Sequence, residues 1–204
     1  MSKYLQPLLE SGSGPVCWIE PNGYATRAYA GGNPDWATQA QPVASTLAQA
    51  NGALNSQVLS IDLAPLLFGQ DAEGDDPLDR VEQLLGSDRA GQRALPIVQA
   101  VEHTLADRVD LMLRLPSPAA LLHHCGAEGA LSFDDLDDAA AALAAVIREF
   151  SASRVAGLVL ATDVDDDGGG DEMQVLAPGL GVARHYRWLT ALRVDGRLSA
   201  QAAA

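Results

Sequence analysis

Apolar residues along the chain fall into short continuous runs, separated by longer stretches in which they recur every three or four positions. A continuous run suits a strand buried on both faces, and the spaced pattern is the stripe of an amphipathic helix. The first run, residues 15–20, follows a Ser-Gly-Ser-Gly break at 11–14 and reads as a strand. Residues 21–36, rich in Gly, Pro and Asn, read as a long irregular connection. Val43, Leu47, Ala50 and Leu54 then share a face of a helix over 37–56, and a strand over 58–63 follows.

The helix-to-strand unit recurs twice. Leu95, Val98, Val101 and Leu105 mark a helix over 89–106, and the run at 109–115 is a strand stopped by Pro116 and Pro118. Ser132, with Asp134 and Asp135 behind it, stands near the start of an Ala-rich helix over 135–151, which leads into a strand over 155–161. Val182, Tyr186, Leu189 and Leu192 predict a closing helix over 179–194. Acidic, glycine-bearing stretches at 69–79 and 163–172 read as exposed loops.

Fully apolar strands alternating with amphipathic helices call for an α/β fold with a parallel sheet. Four such strands fit a shortened or half (β/α) barrel, or alternatively a small open doubly wound sheet. A complete barrel takes roughly 250 residues, and this chain has 204. The expected organisation is an N-terminal extension at 1–14, one α/β domain at 15–196 and a flexible tail at 197–204.

Charge narrows the partners. Thirteen basic residues against 27 acidic ones leave a formal net charge of -14. A surface this negative repels nucleic-acid phosphates, so no nucleic acid is expected. No apolar run reaches membrane-spanning length, and none near the N-terminus resembles an export signal, so no membrane partner and a cytoplasmic location are expected. Two cysteines, Cys17 and Cys125, are too few for a disulfide scaffold and read as reduced thiols.

In parallel α/β folds, ligands meet the carboxyl ends of the strands. Those ends carry Glu20, then Asp62, then Arg114 with Ser117, then Thr162 with Asp163. Glu20, Asp62 and Asp163 are candidate proton carriers, and Arg114 with Ser117 is a candidate anchor for an anionic, carboxylated substrate. Strands also end in polar residues simply because the chain leaves the core, and Asp is a common helix cap. Arg184 and His185 join the binding set from the dense cluster at 184–188; the same cluster also reads as a helix with Tyr186 packed inward and the arginines outward.

Other motifs are incomplete. His123 and Cys125 have zinc-ligand spacing but no further ligands beside them, and with Gly126 they read as the end of a helix beginning after Pro118. Asp163, Asp165, Asp167 and Gly168 match the start of a calcium loop, yet the twelfth position is Gln174 instead of Glu. No phosphate-binding glycine motif and no nucleophile elbow occurs. No metal and no particular cofactor is assigned.

The stretches VDLMLRLPSPAALL, LDDAAAALAAVIREF and VAGLVLATD, within residues 93–163, together resemble part of the uroporphyrinogen decarboxylase and cobalamin-linked methyltransferase superfamily of eight-stranded barrels. The resemblance implies a barrel-type fold. The decarboxylases' arginine-rich N-terminal motif has no counterpart between Trp18 and Asp35, and His123-x-Cys125 matches only the first part of the methyltransferase zinc set. It therefore implies a shortened member. Two functions are expected to compete: a small-molecule-binding protein or enzyme doing acid/base chemistry at the strand ends, and a non-catalytic accessory subunit that forms a homodimer or joins a larger complex.

Overall fold

The computed structural model describes residues 2–12, 14–68, 72–86, 90–105, 107–162 and 174–194. Its frame is five strands: β1 (Trp18–Ile19), β2 (Val58–Asp62), β3 (Asp110–Pro116), β4 (Gly157–Thr162) and β5 (Leu189–Val194). They are hydrogen-bonded in chain order and every pairing is parallel. A doubly wound sheet reverses its strand order at a switch point. Here there is no reversal, and the sheet curls into a half-barrel.

Alternation along each strand makes two cores. Leu59, Ile61, Leu111, Leu113, Leu115, Leu158 and Leu160 point to the convex side and join the large core under the helices. That side is covered by α3 (Ala40–Leu54), α6 (Ala90–Leu105), α8 (Phe133–Glu149) and α9 (Ala177–His185), the long elements of the helical layer. Ser132 starts α8 as expected, its Oγ accepting the Asp135 N–H at 3.1 Å, with Asp134 and Asp135 at the positive end of the helix dipole.

On the concave side Val58, Met112 and Val159 form a smaller core, closed by Leu5 from α1 (Leu5–Ser11). Gly157 is required there. A Cβ at this position would stand 2.2 Å from the Leu189 carbonyl oxygen and 2.7 Å from Met112 Cε.

The segment at 1–14 is thus tied to the sheet where it is described. Buried Asp110, at the start of β3, accepts hydrogen bonds from Ser2 Oγ (2.5 Å) and from the backbone N–H groups of Lys3 (2.6 Å), Tyr4 (2.7 Å) and Leu5 (2.8 Å). One carboxylate from far along the chain satisfies the unpaired donors at the start of α1.

Three expectations are corrected. Residues 21–36 are not irregular throughout: they hold α2 (Asn22–Ala28) and the start of a 3-10 turn (Pro34–Thr38) capped by Asn33. The acidic stretch at 69–79 runs into a helix, α5 (Pro77–Leu85), whose N-cap Asp76 and first-turn Pro77 are start signals that the acidic composition obscured. Val81, Leu84 and Leu85 bury its inner face. The closing helix over 179–194 is two elements. α9 ends at His185, and the Leu189–Val194 segment becomes the fifth strand because β4 offers it an open edge. Two short helices complete the described elements, α4 (Ala64–Phe68) and the expected helix after Pro118, α7 (Pro118–His124), which Ser117 caps. No helix among the described residues is long and apolar enough to cross a membrane.

Replacing Asp110 by Ala is expected to cost about 2–3 kcal/mol, because four donors lose a charged acceptor. Thermal unfolding should show a drop of about 5–10 °C, and Asp110→Asn should fall between the variant and the wild type.

Candidate functional site

Alternation puts a second set of side chains on the concave face, above the small core and toward the carboxyl ends of the strands. Asp62 and Arg114 are register partners on β2 and β3. Arg114 Nη1 donates to Asp62 Oδ2 at 2.6 Å. Their side chains are only 18% and 16% exposed, so the pair is poorly screened and worth more than a surface ion pair. Glu20 follows β1; its Oε1 lies 3.9 Å from Arg114 Nε, and its Oε2 accepts from Arg193 Nη1 of β5.

The resulting quartet of Asp62, Arg114, Glu20 and Arg193 spans the concave face. β1 and β5 are the two edges of the sheet. In a flat sheet, four strand spacings would separate them by about 19 Å, farther than a glutamate and an arginine reach. The curl brings them together.

The four groups are not equally free to act. Asp62 is doubly engaged, since its Oδ1 also accepts the Ala64 N–H at 3.0 Å where α4 begins. Glu20 is the more exposed carboxylate, and its Oε1 makes only the longer ion-pair contact. Arg114 Nε is buried and has no hydrogen-bond partner among the described residues. Buried donors are ordinarily satisfied, so this N–H is a point where an oxygen acceptor would be bound favourably.

The other expected site residues lie elsewhere. Ser117 is fully buried and caps α7, its Oγ accepting the Ala120 N–H at 3.2 Å. Arg184 and His185 occupy the last turn of α9. That turn leads into the start of β5, so they sit at the amino ends of the strands, away from the quartet. Asp163, and the calcium-loop pattern from Asp163 to Gly168, fall outside the described residues.

Arg193 is the member that the sequence reading missed. The expected closing helix over 179–194 contains it; as a strand, Leu189, Ala191 and Arg193 alternate onto the concave face, and that alternation is the available signal.

The His123–Cys125 segment ends a helix, as read. Gly126 has φ +98°, Cys125 is buried, His123 Nδ1 lies 2.9 Å from the Ala127 carbonyl oxygen, and the His124 ring stacks on Phe68 at 3.9 Å. Burial pushes the Cys125 thiol up, with the Arg80 charge opposing, which suits a packed thiol better than a reactive one. Among the described residues no group of three or more His, Cys, Asp and Glu side chains is placed to hold a metal ion.

Away from the quartet, Glu102 of α6 is buried, and its Oε1 lacks a hydrogen-bond partner among the described residues. Burial holds its carboxyl above the usual range, while the backbone N–H and the charge of Arg154 pull it down.

The chain matches no protein-family model, no curated protein and no solved structure.

A double-mutant cycle of Asp62→Asn and Arg114→Gln is expected to give a coupling energy of about 1–3 kcal/mol, read from denaturant unfolding. For Glu102 the sign follows from a raised folded-state pKa: its favourable, neutral form is fully populated below the ordinary glutamate range and is lost as pH climbs through the raised value. Glu102→Gln should therefore raise Tm at pH 7, with the gap from wild type narrowing as pH falls through the raised value and closed below about 4.

Proposed function

We propose that this protein binds a small carboxylated molecule on the concave face of the half-barrel, at the carboxyl ends of the strands. The observation that carries this reading is the buried Arg114 Nε–H, which has no hydrogen-bond acceptor among the described residues and is set between two carboxylates and beside a second arginine. A ligand carboxylate that accepts from Nε would complete the arginine's hydrogen bonding, and Arg193 adds a second cation on the same face. Glu20, the less committed carboxylate, is the group that exchanges a proton with the ligand; Asp62 holds Arg114 in position. Net neutrality of the four side chains gives selectivity. A ligand gains by completing the network, and a bare anion gains little from a long-range field that the two carboxylates already cancel.

The test is a thermal-shift screen of small mono- and dicarboxylates. A ligand present at a hundredfold excess over its Kd stabilises by about 2.7 kcal/mol, or about 5–10 °C for a domain of this size. The shift should vanish in Arg114→Ala and shrink in Arg193→Gln, the second variant serving in case the first fails to fold. A carboxylate that shifts both variants as much as the wild type would falsify the assignment.

A further inference from the structure

At the opposite, amino end of the strands, helix α1 and the turns leading into β4 and β5 enclose a cleft of about 720 Å³. That volume suits a small-molecule site. On one side stand Ser153, Arg154, Tyr186, Arg187 and Trp188; Leu9 of α1 faces them from the other. Tyr186 and Trp188 form a tilted ring pair with centroids 5.6 Å apart, and Leu9 is 69% exposed. The cleft is therefore apolar along part of its length.

Two observations at its polar end call for a ligand. Ser153 Oγ is buried and has no hydrogen-bond partner among the described residues, an arrangement that folding alone disfavours. Arg187 has φ 58°. It ends α9 through paired bonds, Arg187 N–H to the Arg184 oxygen at 3.0 Å and Trp188 N–H to the Ala183 oxygen at 2.8 Å. This helix termination ordinarily places glycine at the left-handed position, where an L side chain is strained. A cation near the helix end does favour the dipole, but Arg184 and His185 in the last turn already provide one. Arg187 makes no ion pair among the described residues, in a chain whose net charge is -14.

We propose that this cleft binds a small amphipathic anion, separate from the ligand of the concave face. Its acid group, carboxylate or phosphate, sits between Arg154 and Arg187 and accepts from the Ser153 hydroxyl, while its apolar body lies along Tyr186, Trp188 and Leu9. Glu10, on α1 and lining the same cleft, repels the acid group and so helps fix which way the molecule points.

The experiment is a fluorescence titration of the full-length protein with 8-anilinonaphthalene-1-sulfonate, an aromatic anion. Wild type is expected to bind it saturably. Arg187→Gly should weaken binding about fivefold or more, while its Tm equals or exceeds that of wild type because glycine relieves the left-handed strain. Arg154→Gln should weaken binding as well, and Arg27→Gln, which removes the same charge outside the cleft, should not. Decanoate or decyl phosphate should displace the dye, the stronger competitor identifying the acid group, and decanol should not. Absence of saturable binding, equal affinity in wild type and Arg187→Gly, or displacement by decanol as effective as by decanoate would each overturn the proposal.

Discussion

Glu20 and Arg193 leave opposite edges of a five-stranded parallel sheet, yet they share a hydrogen bond. The contact exists only because the sheet is curled, and with Arg114 and Asp62 it lines up four charged groups across the open side of the half-barrel. A complete barrel closes its edges with backbone hydrogen bonds. Here side-chain charges reach across instead, in a setting where Arg114 and Asp62 are largely shielded from water. A pair so placed favours its own geometry strongly, because separating the charges would leave each poorly solvated.

The two ends of the strands are organised by the same logic and to different effect. At the amino end a single carboxylate, Asp110, gathers the donors that open α1, and Leu5 then covers the small core formed with Val58, Met112 and Val159. The carboxylate receives four donors at once, so this knot anchors the segment. At the carboxyl end the charges balance but the hydrogen bonds do not: Arg114 retains a buried donor that has no hydrogen-bond acceptor among the described residues. That difference in satisfaction, more than any difference in residue type, separates an anchoring cluster from a candidate binding site.

Part of the site was legible in the residues. Glu20, Asp62 and Arg114 stand at strand ends in the sequence, and consecutive parallel strands share a rim, so their convergence follows from the pattern. Ser117 satisfied the same rule and proved to be a buried helix cap, since a polar residue after a strand serves the next helix as readily as a ligand. Arg193 was invisible for a different reason. Tyr186, Leu189 and Leu192 are spaced three apart, which imitates a helical stripe, and the alternation that makes Leu189–Val194 a strand is equally present in those residues.

What the sequence by itself determined is the alternation of elements and the α/β class. Runs such as LVLAT bury both faces of a strand, and stripes such as Leu136, Leu143 and Ile147 bury one face of a helix, whatever surrounds them. Caps such as Ser132 and Asp76 are local too, being settled within three residues. Tertiary structure alone decided that the chain has a fifth strand, because only the open edge of β4 chooses between helix and strand for a segment that fits both. It alone joined Glu20 to Arg193 across 173 positions of chain. Such a contact depends on the register and curvature of the whole sheet, which packing sets and no local pattern records.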